Sequence, residues 1–334
     1  MDQPPVWREN GGRRSLRSLL WKQFDENLIW FIIAVCLLLL IFGVKGFLNY
    51  NTLIALMVSA VYIGLLAIGE SLCLLVGMID LSIESTLAFS TAVAVLLFQR
   101  NELSPVLVIP LILAIGFAIG LFNAVFIVKL GVNPFVQTLA VLVMLRGLVI
   151  LVTGGVTLIK LPQWYRAVGT GSALGMPVQV FVLLGFYAVF IILLEKRPWG
   201  RRIYAIGSNP AAAIASGINV QRIIMSTFVL NGVLASIAGF IFSGRVGAVY
   251  PAVGDGWIFD VMAAAVIGGV SLQGGRGRLI GALGGVIFLS IVSTIIVWFN
   301  MPVMAVRALR GVIILAAVLL DAIKNKLRAH LLLT

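Results

Sequence analysis

The chain contains few of the residues from which most enzyme sites are built. Its 334 residues include two cysteines, Cys36 and Cys73, and one histidine, His330. A disulfide framework is therefore not expected, and a His and Cys metal site has almost no ligands available. Nucleophilic triads that need a histidine base are set aside for the same reason.

Charge is also scarce. Hydrophobic residues make up 61% of the chain and charged residues 11%, and the mean hydropathy is +1.13. This is too little polar surface to cover a soluble protein of this length. We therefore predict an all-α, polytopic integral membrane protein.

Apolar runs of about 20 residues, the length that spans a bilayer, predict ten transmembrane helices. The predicted spans are 28–44, 51–69, 71–98, 105–128, 134–152, 177–194, 223–243, 258–270, 278–298 and 303–320. The third is overlong and expected to be broken, and the eighth is short. The predicted domains are a basic N-terminal segment at 1–27, one transmembrane domain at 28–321 with a cytoplasmic loop at 195–222, and a cytoplasmic tail at 322–334.

The positions of lysine and arginine predict the orientation of these spans. With the N-terminus inside, the inside segments hold sixteen of the 24 basic residues and the outside segments hold five. The positive-inside rule therefore favours cytoplasmic termini. The net charge of +12 is spread over loops, so membrane lipid is the expected partner and nucleic acid is not. We also predict an interfacial helix at 13–24, and we see no cleavable signal.

The glycine clusters do not form a nucleotide site, because no glycine is followed by lysine and a Walker-type phosphate loop is absent. Gly116 and Gly120, like Gly277, Gly281 and Gly285, have the spacing of closely packed helices. We predict packing or hinge roles for Gly268, Gly269, Gly274, Gly275, Gly277 and Gly281.

Two acids lie inside the third span. Asp80 and Glu84 are four residues apart, so in a continuous helix both would face one direction. Charges at this depth usually face a bundle interior or a polar cavity. For Asp80 we leave open a half-helix cap, a substrate contact and proton coupling. Glu70, at the predicted turn between the second and third spans, is expected to be solvated.

Other polar residues within the spans favour interhelical hydrogen bonds individually and a polar path collectively. Arg146 needs a partner that the sequence does not identify. The candidates for a substrate path are Asp80, Ser82, Glu84, Asn123, Gln137, Thr138 and Asn231.

The polar loop at 195–222 contains a predicted short helix. Asn209 is a good N-cap, Pro210 suits the first helical position, and Gly217 can close the helix. A helix this short is marginal alone in water, so it is expected to dock. A connector lying on the lipid interface is the alternative.

Several stretches, in order, resemble the permeases of bacterial ribose-type sugar ABC importers, whose superfamily includes branched-chain amino-acid permeases. They are residues 77–82 (GMIDLS), 133–138 (NPFVQT) with Arg146-Gly147, 200–210 (GRRIYAIGSNP) with Ser216-Gly217-Ile218, and Asp260 with 266–275 (VIGGVSLQGG).

The resemblance implies a permease subunit that binds no cofactor and is no enzyme, while a partner subunit uses ATP. Its implied partners are a cytoplasmic ATP-binding subunit, an extracytoplasmic substrate-binding protein and a second permease subunit, identical or paralogous. It also implies alternating access and inverted repeats. The implied ATPase-coupling residues are Gly207, Asn209, Pro210, Ala211, Ile214 and Gly217.

This chain departs from the family pattern at two positions. Ala211 replaces a frequent acid, and Glu84 stands where glycine is common. Three alternatives remain: a secondary transporter coupled through Asp80 or Glu84, a permease for another small polar solute such as an amino acid, and a membrane enzyme. The enzyme is disfavoured because the sequence has no recognisable nucleophile–base pair or metal cluster.

Overall fold

The protein is built almost entirely from helices. Its structure is a computed structural model that describes residues 16–43, 47, 49–299, 308, 311, 312, 315 and 319. The helices are α1 (Leu16–Gly43), α2 (Tyr50–Leu75), α3 (Ile83–Gln99), α4 (Pro105–Leu130), α5 (Pro134–Thr153), α6 (Gln163–Thr170), α7 (Val178–Lys196), α8 (Pro198–Ser208), α9 (Pro210–Ala215), α10 (Val220–Val246), α11 (Trp257–Ile267) and α12 (Leu279–Trp298). The strands, of two residues each, are β1 (Leu158–Ile159), β2 (Ser172–Ala173), β3 (Met176–Pro177) and β4 (Ala248–Val249).

Helix length and composition identify the membrane-spanning part. Within the described residues, six helices are long and apolar enough to cross a bilayer: α2, α4, α5, α7, α10 and α12. The apolar stretches at 29–43, in α3 and in α11 are shorter. The short eighth span is thus confirmed as α11, whereas the tenth predicted span and the tail at 322–334 lie outside the described residues apart from isolated positions.

The boundary between the second and third spans differs from the prediction. The sequence predicts a turn at Glu70, but α2 continues to Leu75 and the chain leaves helical geometry at residues 76–82. Gly77 provides the turn, with φ of +81°, a conformation in which glycine carries no steric penalty. Nothing near Glu70 interrupts a helix, and Glu70 is fully buried rather than solvated.

The first helix also differs from the prediction. An interfacial helix at 13–24 and a separate span at 28–44 were expected, whereas α1 is one continuous helix of 28 residues.

Small residues bring the helix axes close together. A Cβ added to Gly120 in α4 would lie 2.4 Å from the carbonyl oxygen of Phe228 in α10. Likewise, a Cβ on Gly281 in α12 would lie 2.1 Å from the carbonyl oxygen of Gly268 after α11. The predicted close packing is confirmed at both places, and only glycine fits these contacts.

The helix bundle has two chemically different ends. The end we call the α9 end carries α8, α9, the C-terminus of α2, the N-terminus of α10 and the glycine-rich turn at 268–278. The opposite end, the α6 end, carries α6, the C-termini of α3 and α10, and both small sheets. There β1 pairs antiparallel with β4, and β2 pairs with β3 in a hairpin.

Candidate functional site

A buried polar cluster joins α2 to α10 through the break after α2. The backbone N–H of Asp80 donates to Glu70 Oε1 at 3.2 Å. Asn231 Nδ2 donates to both carboxylates, at 3.3 Å to Glu70 Oε2 and 3.2 Å to Asp80 Oδ2. All three side chains are at most 1% exposed, so each depends on the others for its hydrogen bonds.

The cluster continues to α4. Asp80 Oδ1 accepts from the backbone N–H of Ser82 at 2.9 Å and from its hydroxyl at 2.6 Å. Asn123 Nδ2 in turn donates to Ser82 Oγ at 2.8 Å. Four predicted path residues, Asp80, Ser82, Asn123 and Asn231, are therefore in one network, and they are sealed inside the bundle.

This geometry corrects two expectations about the acids. Asp80 does not cap α3, because it binds Ser82, the residue before the first helical turn, and no side chain caps α3. Asp80 and Glu84 also do not face one direction, because residues 76–82 are not helical. Asp80 faces α10, whereas Glu84 faces α5 and α11.

Glu84 and Arg146 form a second buried cluster, which supplies the partner that Arg146 requires. Arg146 Nη2 lies 3.3 Å from Glu84 Oε1. Arg146 Nη1 donates to the carbonyls of Pro251 and Val253 at 3.0 and 2.9 Å. Glu84 Oε2 accepts from the N–H of Ile258 at 3.2 Å.

The contact with Ile258 lies in the first turn of α11, a helix whose own N-cap, Gly256, has no side chain to cap it. An anion is stabilising at a helix N-terminus. Glu84 therefore replaces the missing cap from a distant part of the chain, and the pair fixes α3, α5 and α11 together.

A cavity of about 480 Å³ opens beside this second cluster. Its walls are mostly apolar side chains of α5, α11 and the break after α2, and its charged lining residues are Glu84 and Asp255. Of the seven predicted path residues, only Glu84 lines this cavity.

The two remaining path residues lie in the first turns of α5. Gln137 is 8% exposed, and the Thr138 hydroxyl donates back to the Pro134 carbonyl at 2.8 Å. Neither joins the two clusters. Glu70 and Asp255 were not predicted as site residues. The position of Glu70 inside an apolar run could have indicated a buried acid, but the turn predicted there implied that it was exposed to solvent.

At the α9 end, the predicted short helix is confirmed. Asn209 Oδ1 accepts from the N–H of Ala212 at 3.0 Å, and Pro210 is the first helical residue. Gly217 follows the helix with φ of +75°. Ala211 is exposed, and Ile214 is 62% exposed. The helix thus presents an uncovered apolar side chain.

The preceding helix α8 was not predicted, and it attaches α9 to the bundle. Gly207 lies against the backbone of Leu75 and Gly275, since its Cβ would be 1.9 Å from the Leu75 carbonyl oxygen. The Tyr204 hydroxyl donates to the Gly277 carbonyl at 2.9 Å. Burial, with Glu195 nearby, raises the pKa of Tyr204, so this hydroxyl keeps its proton at neutral pH.

The glycine-rich turn is fixed by backbone contacts. Gly275 N–H donates to the Leu75 carbonyl at 2.9 Å. Gly269, Gly274 and Gly275 have φ values of +86°, +85° and +69°. One detail of the packing prediction is wrong: Gly277 precedes α12 and does not share a helix face with Gly281, because α12 begins at Leu279.

The fold defines a class: a polytopic helical membrane protein with a short, exposed helix at one end. Residues 52–318 match the family described as branched-chain amino acid transport system / permease component. The chain belongs to this permease family.

Curated relatives cover most of the chain. It is 35% identical over 264 residues to the ribose import permease protein of Bacillus subtilis, covering 78% of this chain and 82% of the relative. It is 35% identical over 308 residues to an autoinducer 2 import system permease of Enterobacter sp., covering 89% and 88%. It is 32% identical over 312 residues to the L-arabinose ABC transporter permease of Azospirillum brasilense, covering 93% and 92%. No solved structure matches the chain significantly.

Proposed function

We propose that this chain is the transmembrane permease subunit of an ATP-driven importer that carries a monosaccharide across the bacterial inner membrane. The observation that carries the proposal is α9, a capped six-residue helix that presents the exposed Ile214 at the end of the bundle. One side of α9 packs on the bundle through the buried Ala213, so the side that carries Ile214 is available to a groove on a separate cytoplasmic ATP-binding subunit. Family membership supports the same assignment.

In this proposal the chain binds no cofactor and ATP is hydrolysed by the partner. Two ATP-binding subunits or one tandem protein lie at the α9 end. An extracytoplasmic substrate-binding protein lies at the α6 end. A second permease, identical or paralogous, completes the transmembrane part, and the termini are cytoplasmic, as the basic residues at the α9 end favour.

An inverted repeat accounts for the arrangement of the helices. The unit of α2, a break and the short helix α3 is followed by α4 and α5, and the unit of α10, a break and the short helix α11 is followed by α12. Broken helices in corresponding halves are typical of transporters that work by alternating access.

For the cargo path we favour the cavity at Glu84 over the sealed cluster at Asp80. Its volume of about 480 Å³ and its apolar walls with a few polar groups resemble small-molecule sites in general. Two relatives are named for sugars, as the permeases for ribose and L-arabinose. An amino acid is the other cargo class that the family description allows.

The first experiment tests α9. The chain is co-expressed with its candidate ATP-binding subunit. The Ile214→Asp variant is compared with Gln221→Asp, which is also exposed at the same end but lies outside α9. We expect Ile214→Asp to lose co-purification of the ATPase and uptake together, and Gln221→Asp to retain both. A Gly/Ser replacement of residues 209–217 that still binds the ATPase would contradict the coupling assignment.

The second experiment tests the energy source. Purified complex in liposomes is supplied at the α6 end with the substrate-binding protein and radiolabelled ribose or arabinose, with and without ATP at the α9 end. We expect uptake only with ATP. Uptake by the chain alone that an uncoupler abolishes would establish the secondary-transporter alternative instead.

A further inference from the structure

Four basic side chains are exposed at the α6 end: Arg100, Lys160, Arg166 and Arg245. They come from four separate elements: the C-cap of α3, the residue after β1, the middle of α6 and the last turn of α10. Among the described residues, none of them takes part in an ion pair.

Local contacts bring these elements to one face. Gln99 Nε2, beside Arg100, donates to the Ile159 carbonyl at 2.6 Å, beside Lys160. Ile159 in turn pairs with Ala248 of β4, directly after α10. The first two basic residues are therefore tied to the C-terminal end of α10.

The other two basic residues flank the same helix end. A Cβ on Gly169 in α6 would lie only 2.3 Å from the backbone nitrogen of Arg245, so α6 and α10 touch there. A Cβ on Gly247, the C-cap of α10, would lie 3.2 Å from Cζ of Arg166, whose guanidinium therefore lies across this cap. Carbonyl groups at a helix C-terminus stabilise a nearby cation, so this position is favourable for the Arg166 guanidinium.

Few acids lie near these charges. Residues 154–177 contain neither aspartate nor glutamate, residues 99–104 contain only Glu102, and residues 247–256, directly after α10, contain only Asp255. Like charges on one face repel each other and attract an anionic surface over a distance of several ångströms. Four cations against the two acids Glu102 and Asp255 leave a net positive charge at this end of the bundle.

The same face exposes large apolar side chains. Leu174 is 95% exposed at the tip of the β2–β3 hairpin, where its φ of +52° is unfavourable for a branched side chain. Trp164 in α6 is 39% exposed. Arginine and aromatic residues beside exposed apolar groups are the composition of protein–protein interfaces.

Lipid explains this face less well. An interfacial helix inserts its apolar side into the bilayer. The corresponding side of α6 packs on α10 instead: Tyr165 is buried and its hydroxyl lies 2.8 Å from Ser243 Oγ. The polar side of α6 is therefore the side that remains available.

We infer that the face formed by Arg100, Lys160, Arg166, Arg245, Trp164 and Leu174 docks an acidic surface of the water-soluble, extracytoplasmic substrate-binding protein. This inference rests on the proposed function, which provides a soluble partner at this end. The cations steer the two proteins together, and Trp164 and Leu174 supply apolar contact once they have met.

The test uses the complete permease–ATPase complex in nanodiscs of uncharged phosphatidylcholine, so that no anionic lipid is present. The probe is the purified substrate-binding protein encoded beside the permease. We compare wild type, Lys160→Glu/Arg166→Glu, the milder Lys160→Gln/Arg166→Gln, and Lys129→Glu, which reverses an exposed cation at the far end of α4.

We expect the double reversal to weaken binding about 10-fold at low salt, mainly through a slower association rate and with a flatter salt dependence. The glutamine pair should lie between it and wild type, and Lys129→Glu should match wild type. Basal ATP hydrolysis should be equal in all four, which shows that the complexes are folded.

Two outcomes overturn the inference, and they are distinguishable. If wild type binds the probe and both double variants bind it as tightly, the docking face is wrong while the importer assignment stands. If wild type neither binds the probe nor shows ATP hydrolysis stimulated by it, the importer assignment itself fails.

Discussion

Replacing Arg146 by methionine removes the cation that joins α5 to α3 and to the loop before α11. The Glu84 side chain is 5% exposed and that of Arg146 is 18% exposed, so the pair is largely removed from bulk water. Removing one partner of a buried ion pair costs about 3–5 kcal/mol, because the other charge stays buried without compensation. The carbonyls of Pro251 and Val253 also lose their donor.

The double variant Glu84→Gln/Arg146→Met removes both charges at once. It should therefore be more stable than the sum of the single changes implies, with an interaction free energy of about 1–3 kcal/mol. The third member of the cycle, Glu84→Gln, loses the ion pair and weakens the capping of α11.

Thermal unfolding of the purified chain in detergent, followed by tryptophan fluorescence, measures these effects. At about 2 °C per kcal/mol for a chain of this size, Arg146→Met should lower Tm by about 6–10 °C. The matched control is Glu195→Gln, which breaks the ion pair with Arg278 whose side chains are 38% and 52% exposed. Exposed pairs contribute about 0–1 kcal/mol, so its shift should stay below about 2 °C.

The reasoning would be refuted if Arg146→Met shifted Tm no more than the control. Strict additivity in the double variant would refute it as well, because the two residues would then not act as a pair.

Three further outcomes follow from the packing and the caps. Gly120→Leu should prevent folding, since its Cβ would lie 2.4 Å from a backbone carbonyl of α10. The control Gly147→Leu should purify normally, because a Cβ at Gly147 has no atom within 4 Å. Equal yields of the two variants would contradict this. Asn231→Leu leaves two buried carboxylates without their shared donor. It should lower the free energy of unfolding by about 3 kcal/mol, or Tm by about 6 °C, and an unchanged Tm would contradict this. Asn209→Ala should destabilise α9 by about 1 kcal/mol and weaken co-purification of the ATPase, whereas Asn209→Ser should not; identical binding by both variants would show that the cap is unimportant.

The sequence predicted best what depends on neighbouring residues. Helix α9 was predicted correctly because Asn209, Pro210 and Gly217 lie within about two helical turns of each other. The short length of the eighth predicted span agrees with α11, because the apolar run in the sequence is itself short.

Features that depend on distant residues were not predictable in this way. Glu70 was expected in solvent, but its partner Asn231 lies 161 positions further along the chain. Glu84 was recognised as a departure from the family pattern, yet its pairing with Arg146 and its capping of α11 appear only when three helices meet. The positive φ of Gly77 decides where α2 ends, and hydropathy alone does not contain that information.

The contact among Leu75, Gly207 and Gly275 has a mechanical consequence. Here three segments touch through main-chain atoms alone: the Leu75 carbonyl accepts from Gly275 N–H at 2.9 Å, and Gly207 leaves no space for even a methyl group. Side chains can change rotamer to absorb a displacement, but peptide groups in contact have no such freedom. The position of α8, which precedes α9, is therefore tied directly to the end of α2, five residues from Glu70, with no side chain between them to absorb a small displacement.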